Sequence, residues 1–379
     1  MKKLSKIFCA LAIPALFAAC SKDAEPGVPT GGGEKTNFVV SLPGVPETYG
    51  VEDPQSAGQI LPYYDNVIVY LADAGYNAVG YAWTDAEIKA GEKRFEQIVE
   101  PAEVVVIVNT GSMSMPTGAV SSAELEDALK SLAVADQNKP VKTLSVADAK
   151  GNAAGDYLSV QQVTLIGGQS TFTTETSDDG HTLKKAVVEL GSGVSRFEIG
   201  TVKPGTGLDA LTVEAVYINN FFNDNSGTSI QNFTELTWPA TYSPAWATDG
   251  YNAAVTSAAG TKAYAYQVLS AVQAVSLVPH IIYKVSGTVS AGYKLADGTG
   301  DENNPTPFTG KYITVKGFKE GGSSIGSVHP HKIYKMGLEN GGIEITPDKI
   351  TDNPEKTKID LIVAITVADW SVSNVTPEI

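Results

Sequence analysis

The sequence has few cysteines, few arginines and few histidines, and no long apolar segment follows its first twenty residues. Its only cysteines are Cys9 and Cys20, so the rest of the chain has no disulfide and no thiolate metal site. It also lacks a P-loop, a dinucleotide-binding glycine fingerprint and an H-E-x-x-H zinc motif. We therefore expect a fold stabilised by apolar burial, and we expect no cofactor.

Positive charge is scarce as well. The 379-residue chain has 27 Lys and Arg against 42 Asp and Glu, which gives a net charge of −15 at pH 7. Such a surface repels nucleic acid phosphates and anionic membranes. The composition therefore predicts no nucleic acid partner and fits a soluble exported protein.

The N-terminus has the pattern of an export signal. Lys2, Lys3 and Lys6 precede an apolar run from Ile7 to Ala19, which is too short for a permanent membrane span. Small residues lead directly into Cys20, which resembles the lipobox of bacterial lipoproteins. The resemblance implies cleavage before Cys20 and acylation of its thiol, so that lipid would tether the chain to the outer membrane. Loss of residues 1–19 leaves 24 basic and 42 acidic residues, a net charge of −18.

The remaining chain reads as two strand-rich units after a flexible tether. Residues 20–35 are rich in Gly, Pro and acidic residues and have no periodicity. Beyond Thr36, apolar residues alternate or form short runs between turn residues, which is typical of strands. We predict an all-β fold of two tandem β-sandwich domains, 36–180 and 181–379, with a polar boundary region at 173–182. The strands expected most clearly are 37–42, 66–72, 95–99, 103–108, 157–166, 186–190, 195–201, 211–218, 263–269, 280–289, 311–316 and 358–367.

One minor helix is expected in the first domain. Ser121 and Glu124 have the spacing of a capping box, and Leu125, Leu129 and Leu132 fall on one face of the following turns.

The last part of the sequence is unusually apolar. From Leu361 to Val367 apolar residues occupy both faces of a predicted strand, which suggests burial on both sides. Trp370 and Val372 then alternate with serines, and strand-like residues continue through Val375 to Ile379. We expect this final segment to pair with another strand.

Together these features resemble the fimbrillin family, the major subunits of the type V pili of Bacteroidia. The resemblance rests on the lipobox at Cys20, the strand 36–42, the run 104–108 leading into Asn109-Thr110-Gly111, and the segment 366–370 with its trailing strand. It implies two transthyretin-like β-sandwich domains and transport to the outer membrane as a lipoprotein. It also implies polymerisation by strand exchange, in which a protease removes the first strand and a C-terminal strand of a neighbouring subunit fills the groove.

The family pattern assigns roles to particular residues of this chain. The expected partners are other copies of the chain, other pilus subunits and a host or bacterial surface ligand. The removable first strand would bury Phe38, Val40 and Leu42; the candidate processing loop would contain Glu47, Thr48 and Tyr49; and the donor strand would contribute Trp370, Val372, Val375 and Ile379.

One departure from the family leaves an alternative open. Family members cut by an arginine-specific protease have an Arg in the loop after the first strand, but residues 43–50 contain none. The only arginines are Arg94 and Arg196, both predicted within strands or at their ends. Either another protease cuts this loop, or the subunit stays uncleaved and serves as a pilus anchor.

Enzymatic chemistry finds little support in the sequence. Gly322 to Gly326 matches the G-x-S-x-G nucleophile elbow around Ser324, but Pro330 opposes the helix that must follow. His329 and His331 lack a third metal ligand and are expected at an edge or turn. We predict that the protein is not an enzyme.

Two loops suggest ligand binding. The acidic stretch 297–304 could hold Ca²⁺, although it lacks EF-hand spacing and a solvated hairpin loop is the favoured interpretation. Trp238, Tyr242, Trp246 and Tyr251 could form an aromatic platform, which would make the chain a monomeric glycan-binding surface lipoprotein. Aromatic loops of this kind more often cover a core.

Overall fold

The structure is a computed structural model, and it describes most of the chain after residue 34. The described residues are 35–42, 59–60, 64–75, 77–138, 142–145, 157–160, 163–176, 182–239, 264–270, 276–337, 341–357, 359, 361–369 and 371–372.

Twelve strands and three helices precede residue 188 in the described part of the chain. They are β1 (Lys35–Ser41), β2 (Gln59–Ile60), β3 (Val67–Ala72), β4 (Ala78–Ala82), α1 (Asp85–Ala90), β5 (Glu92–Val99), β6 (Glu103–Val108), β7 (Gly118–Val120), α2 (Ser122–Lys130), α3 (Val134–Gln137), β8 (Lys142–Ser145), β9 (Tyr157–Val160), β10 (Leu165–Gln169), β11 (Thr173–Thr176) and β12 (Thr182–Val187).

The later residues form further strands and one 3-10 helix, Pro347–Lys349. The strands are β13 (Gly191–Ser192), β14 (Ser195–Ile199), β15 (Val202–Pro204), β16 (Leu208–Asn219), β17 (Phe221–Phe222), β18 (Ile230–Gln231), β19 (Tyr264–Val268), β20 (His280–Val289), β21 (Thr306–Glu320), β22 (Ser323–Ser324), β23 (Lys332–Met336), β24 (Ile343–Ile345), β25 (Leu361–Ala364), β26 (Thr366–Asp369) and β27 (Ser371–Val372). The all-β prediction is confirmed. Within the described ranges no helix is both long and apolar enough to cross a membrane.

Two sheets make up the first half of the fold. One has the order β11-β12-β1-β5 and the other the order β13-β10-β6-β3-β4-β7. The central strand β6 buries Val104, Val106, Ile107 and Val108 completely, since neighbours flank it on both sides. The run of β-branched residues that the sequence contains here is therefore a central strand.

The second half contains another pair of large sheets. One has the order β19-β14-β23-β26, and the other joins β16, β20 and β21, with β22 and β25 both pairing with β21. Phe197, Phe318 and Tyr283 are almost fully buried. Phe197 stacks on Tyr334 at a centroid distance of 5.0 Å and lies 5.5 Å from Phe318, so aromatic contacts join β14 to β23 and β21.

Strands on both sides of residue 180 pair with one another. β12 lies beyond it, yet β12 pairs in parallel with β1 and antiparallel with β11. β13 also pairs with β10. β12 thus supplies one side of the slot that holds β1. The strand expected at 186–190 accordingly begins earlier, at Thr182.

Two other strand expectations also need correction. The strand expected at 157–166 is two strands, since β9 pairs with β8 whereas β10 pairs with β6. The expected strand 358–367 is interrupted at Ile365. Before this residue β25 pairs with β21, and after it β26 pairs with β23. Ile362 is 53% exposed, so burial on both faces is wrong there. Its side chain lies near Gly317, on the outer side of β25.

The expected helix is confirmed as α2. The Ser121 hydroxyl accepts a hydrogen bond from the Glu124 backbone N–H at 3.3 Å, and the Glu124 carboxylate accepts one from the Ser121 N–H at 2.8 Å. This reciprocal pair is the predicted capping box. Leu125, Leu129 and Leu132 are buried, as their spacing predicts. A second capping box, which was not predicted from the sequence, is formed by Thr84 and Glu87 at α1.

Candidate functional site

The first strand lies inside its sheet and not at an edge. β1 pairs in parallel with β12 from Asn37 to Ser41 and antiparallel with β5 from Lys35 to Ser41. Its C-terminal end is held by two further hydrogen bonds, since the Leu42 N–H donates to the Gly91 carbonyl and the Val188 N–H donates to the Ser41 carbonyl, both at 2.9 Å. Both backbone edges of β1 therefore carry ladder hydrogen bonds.

The inner face of β1 is fully buried. Phe38 and Val40 have no exposed surface, and Leu42 is 3% exposed, in agreement with the alternation that the sequence predicts. The Phe38 ring meets the Phe172 ring edge to face, with centroids 5.0 Å apart. Phe38 also lies directly opposite Phe95 on β5. This arrangement puts Phe38 in a pocket with aromatic walls.

The aromatic contacts continue behind β5. Phe95 meets Tyr81 at a centroid distance of 5.0 Å, and burial raises the pKa of the Tyr81 hydroxyl. We call Phe95, Phe172 and Tyr81 the aromatic pocket. This pocket is not apparent in the sequence, because Phe172 lies outside any predicted strand and is far from β1 along the chain.

The outer face of β1 is flanked by basic side chains. Val39 lies opposite Arg94 on β5 and Lys185 on β12. Val39 is nevertheless only 2% exposed. Arg94 pairs with Glu92 at 2.9 Å and Lys185 with Glu175 at 3.8 Å. The long apolar stems of such side chains can cover an apolar neighbour while their charged ends stay in water.

Helix α1 supports β5 from one end. Lys93 on β5 pairs with Glu87 at 2.7 Å. Burial pushes the pKa of Glu87 upward, but hydrogen bonds from Lys93 and Thr84 outweigh it and hold this pKa below its ordinary value. Gly91 ends the helix in the left-handed conformation that glycine favours and turns the chain directly into β5.

Part of the predicted donor region is described. β26 pairs with β23, and β27, which includes Val372, pairs in parallel with β2. A strand conformation at residues 371–372 agrees with the sequence pattern. The other residues to which the family pattern assigns a role lie outside the described residues; they are Cys20, Glu47, Thr48, Tyr49, Trp370, Val375 and Ile379.

The surroundings of Ser324, His329 and His331 differ from those that the catalytic and metal-binding alternatives require. Ser324 is exposed in β22, which forms a hairpin with β21 through a turn at Gly321-Gly322. A nucleophile elbow requires a strand before the serine and a helix after it, whereas this serine follows a turn and lies in a strand. His329 and His331 occupy the turn before β23, as expected. Across the described ranges, no group of three or more His, Cys, Asp or Glu side chains is placed to hold a metal ion.

The acidic stretch 297–304 is part of the connection between β20 and β21. Asp297 pairs with Lys311, and the Asp301 carboxylate accepts hydrogen bonds from the Asn303 and Asn304 N–H groups at 2.8 and 2.9 Å. These contacts hold the loop in its conformation. They agree with the interpretation of the stretch as a hairpin loop.

Of the aromatic loop, only Trp238 lies among the described residues. Its ring meets the rings of Tyr217 and Phe233 edge to face, at 6.3 and 6.0 Å. Tyr242, Trp246 and Tyr251 are outside the described ranges. Trp238 thus packs against other aromatic rings, as expected for a loop that covers a core.

The described residues define an all-β protein whose first strand is buried between two partner strands. Comparison with models of known protein families finds no match, and comparison with curated proteins finds none either. Several solved structures are similar to it.

One similar structure is a candidate cell adhesion protein from Bacteroides eggerthii (14% identity, 92% of this chain and 100% of that chain, TM-score 0.42). A tip fimbrial protein from Porphyromonas gingivalis with a C-terminal truncation has 10% identity over 89% of this chain and 100% of that chain, with a TM-score of 0.42. A fimbrilin from Porphyromonas gingivalis has 13% identity over 90% of this chain and 99% of that chain, with a TM-score of 0.41. Because these identities and TM-scores are low, the function proposed below rests on the strands of this chain.

Proposed function

We propose that this chain is a structural pilus subunit that polymerises by strand exchange and acts in adhesion at the cell surface. In this proposal it is exported, acylated at Cys20 and carried to the outer membrane, where a protease cuts the segment 43–58. The cut releases β1, and the final segment of a second copy replaces it. The role is structural, and no enzymatic step by this chain is involved.

The observation that carries the proposal is the position of β1. A first strand that pairs only at a sheet edge would leave little behind when removed. β1 instead separates β5 from β12, so its loss would expose two rows of unpaired backbone groups and the pockets of Phe38 and Val40. Unpaired strand edges of this kind bind another strand readily.

The energetics explain why cleavage would be needed. Each buried apolar side chain of β1 contributes about 1.5–3 kcal/mol, and ordering a replacement strand costs about 1–2 kcal/mol per residue. An external strand therefore gains little over the internal one while the internal one remains attached. Covalent removal of β1 gives the exchange its direction, and slow unfolding would make the polymer durable.

N-terminal sequencing of protein recovered from the cell surface tests the processing step. A start within residues 43–59 is the expected result for a stalk subunit. A lipidated Cys20 on polymeric material would overturn the proposed cleavage and favour the uncleaved anchor.

Truncation before Trp370 tests the exchange step. We expect the truncated chain to remain monomeric while the intact chain forms a ladder of polymers that dissociate on heating. Urea unfolding of both monomers serves as the control for folding. Filaments built equally well by the truncated chain would contradict the proposal.

A further inference from the structure

The segment after β26 repeats the side-chain pattern of β1. Residues 37–41 are Asn-Phe-Val-Val-Ser, and residues 369–373 are Asp-Trp-Ser-Val-Ser. The two stretches agree in a short polar residue, an aromatic residue, a valine and a serine at the same four positions. They differ at the third position, where Val39 corresponds to Ser371.

We propose that residues 369–373 of a second copy take the place of residues 37–41, in the same direction and the same register. Trp370 then replaces Phe38, and Val372 replaces Val40. This inference rests on the proposed function and adds to it a specific alignment, with the aromatic pocket as the feature that fixes it.

The aromatic pocket selects one residue of the incoming segment. Phe38 makes its edge-to-face contact with Phe172 and lies opposite Phe95, and such pairs stabilise beyond the area they bury. Trp370 is the only aromatic residue between positions 366 and 379. A slip by one residue would turn its ring to the outer face, because side chains alternate along a strand.

The first position of the alignment also matches its surroundings. The Asn37 side-chain oxygen accepts a hydrogen bond from the Gln97 N–H at 3.3 Å. A carboxylate oxygen of Asp369 would accept the same bond with the added strength of a charged acceptor. Ser371 would replace Val39, which is only 2% exposed, so this position loses buried apolar area in the exchange.

Basic residues also flank the place of β1, and each of them already pairs with a glutamate. Four basic residues, on β5 and β12, lie opposite positions 38 to 40 of β1; they are Lys93, Arg94, Lys184 and Lys185. The stretch 366–379 contains two acidic residues, Asp369 and Glu378, and no basic residue. In the single chain Asp369 occupies the final pair of β26, opposite Lys332, and residues 371–372 pair with β2, so the exchange gives up both of these pairings.

Disulfide trapping tests the alignment. Val39 lies opposite Arg94, and Ser41 lies opposite Glu92, on the same face of β5. A chain with Ser371→Cys and Arg94→Cys should form a ladder of disulfide-linked polymers that collapses on reduction. The matched control, with Ser371→Cys and Glu92→Cys, should give little of this ladder; Cys9 and Cys20 are unchanged in both.

The aromatic position is tested by two further variants. Trp370→Phe should polymerise like the wild type, whereas Trp370→Ala should weaken strand uptake by about a hundredfold or more. Polymers that cross-link through position 92, or through neither position, would overturn the alignment alone. Equal polymerisation of Trp370→Ala would overturn it too. Failure of the wild-type chain to polymerise after loss of β1 would overturn the proposed function as well.

Discussion

Arg196 and Glu198 form an ion pair on one face of β14, with the Arg Nε 2.9 Å from the Glu Oε1 and with 3% and 1% of their side chains exposed. Gln267, which lies opposite Arg196 on β19, is equally buried. The backbone of Gln267 exchanges hydrogen bonds with the Asn138 side chain, at 2.7 and 2.8 Å. The polar face of β14 therefore lies at the junction between the two halves of the fold.

Breaking this ion pair should be costly. Glu198→Leu removes the carboxylate that lies 2.9 Å from the Arg196 Nε, so we expect a loss of about 3–5 kcal/mol in the free energy of unfolding. Replacing both residues, as Arg196→Met with Glu198→Leu, should cost much less, because two apolar side chains leave no buried charge. Urea unfolding at pH 7 measures both. A double variant as unstable as the single one would contradict this explanation.

A second prediction concerns pH. Burial, with a smaller contribution from the neighbouring charge of Lys332, lowers the pKa of His331 from 6.5 to about 4. The unfolded chain therefore binds a proton at this residue below pH 6.5, while the folded chain does so only near pH 4. Stability should fall as the pH drops through this window, by roughly 3 kcal/mol from this residue.

His331→Asn isolates this effect. Asparagine tolerates the left-handed backbone at this position, where φ is 59°. Urea unfolding at pH 7 and pH 4 should show a smaller loss of stability for this variant than for the wild type. His329→Asn, at an exposed position in the same turn, is the control for the replacement of a histidine. Equal losses in His331→Asn and the wild type would refute the assignment.

Local features of this fold could be predicted from the sequence, whereas long-range partners could not. The capping box of α2 involves residues three positions apart, so spacing alone reveals it. The burial of Phe38 and Val40 follows from alternation. The parallel partner of β1 is β12, about 145 residues away, and neither segment contains a pattern that predicts this pairing.

The buried charges of β14 illustrate the same limit. Arg196 and Glu198 alternate with apolar residues, a pattern typical of a strand with one solvated face. Every residue of β14 is buried in the structure. Burial of the polar face depends on the neighbouring strands and on Asn138, which tertiary packing brings together. The exposure of Ile362 is the converse case, since only the pairing of β25 at one side of β21 determines it.

The backbone of Ala210 approaches Gly287 so closely that substitution of this glycine should destabilise the fold. A Cβ added at Gly287 would lie 2.2 Å from the Ala210 carbonyl oxygen and 2.9 Å from the Phe308 ring. Gly287→Ala should therefore force β16 away from β20 and destabilise the chain by about 1–3 kcal/mol. Gly326 is the control, since no atom lies within 4 Å of its added Cβ. Thermal unfolding should leave Gly326→Ala near the wild type, and equal shifts in the two variants would contradict the steric explanation.

The final prediction distinguishes the unprocessed chain from the chain that has lost β1. Phe38 is fully buried against Phe172, so Phe38→Ala should destabilise the unprocessed monomer by about 3–5 kcal/mol in urea unfolding. If processing removes β1, the polymer no longer contains residue 38, and its heat stability should equal that of the wild type. Phe95→Ala is the matched control, because β5 remains in the polymer and both forms should weaken. A polymer of the Phe38→Ala chain that dissociates at a lower temperature would mean that β1 stays in place.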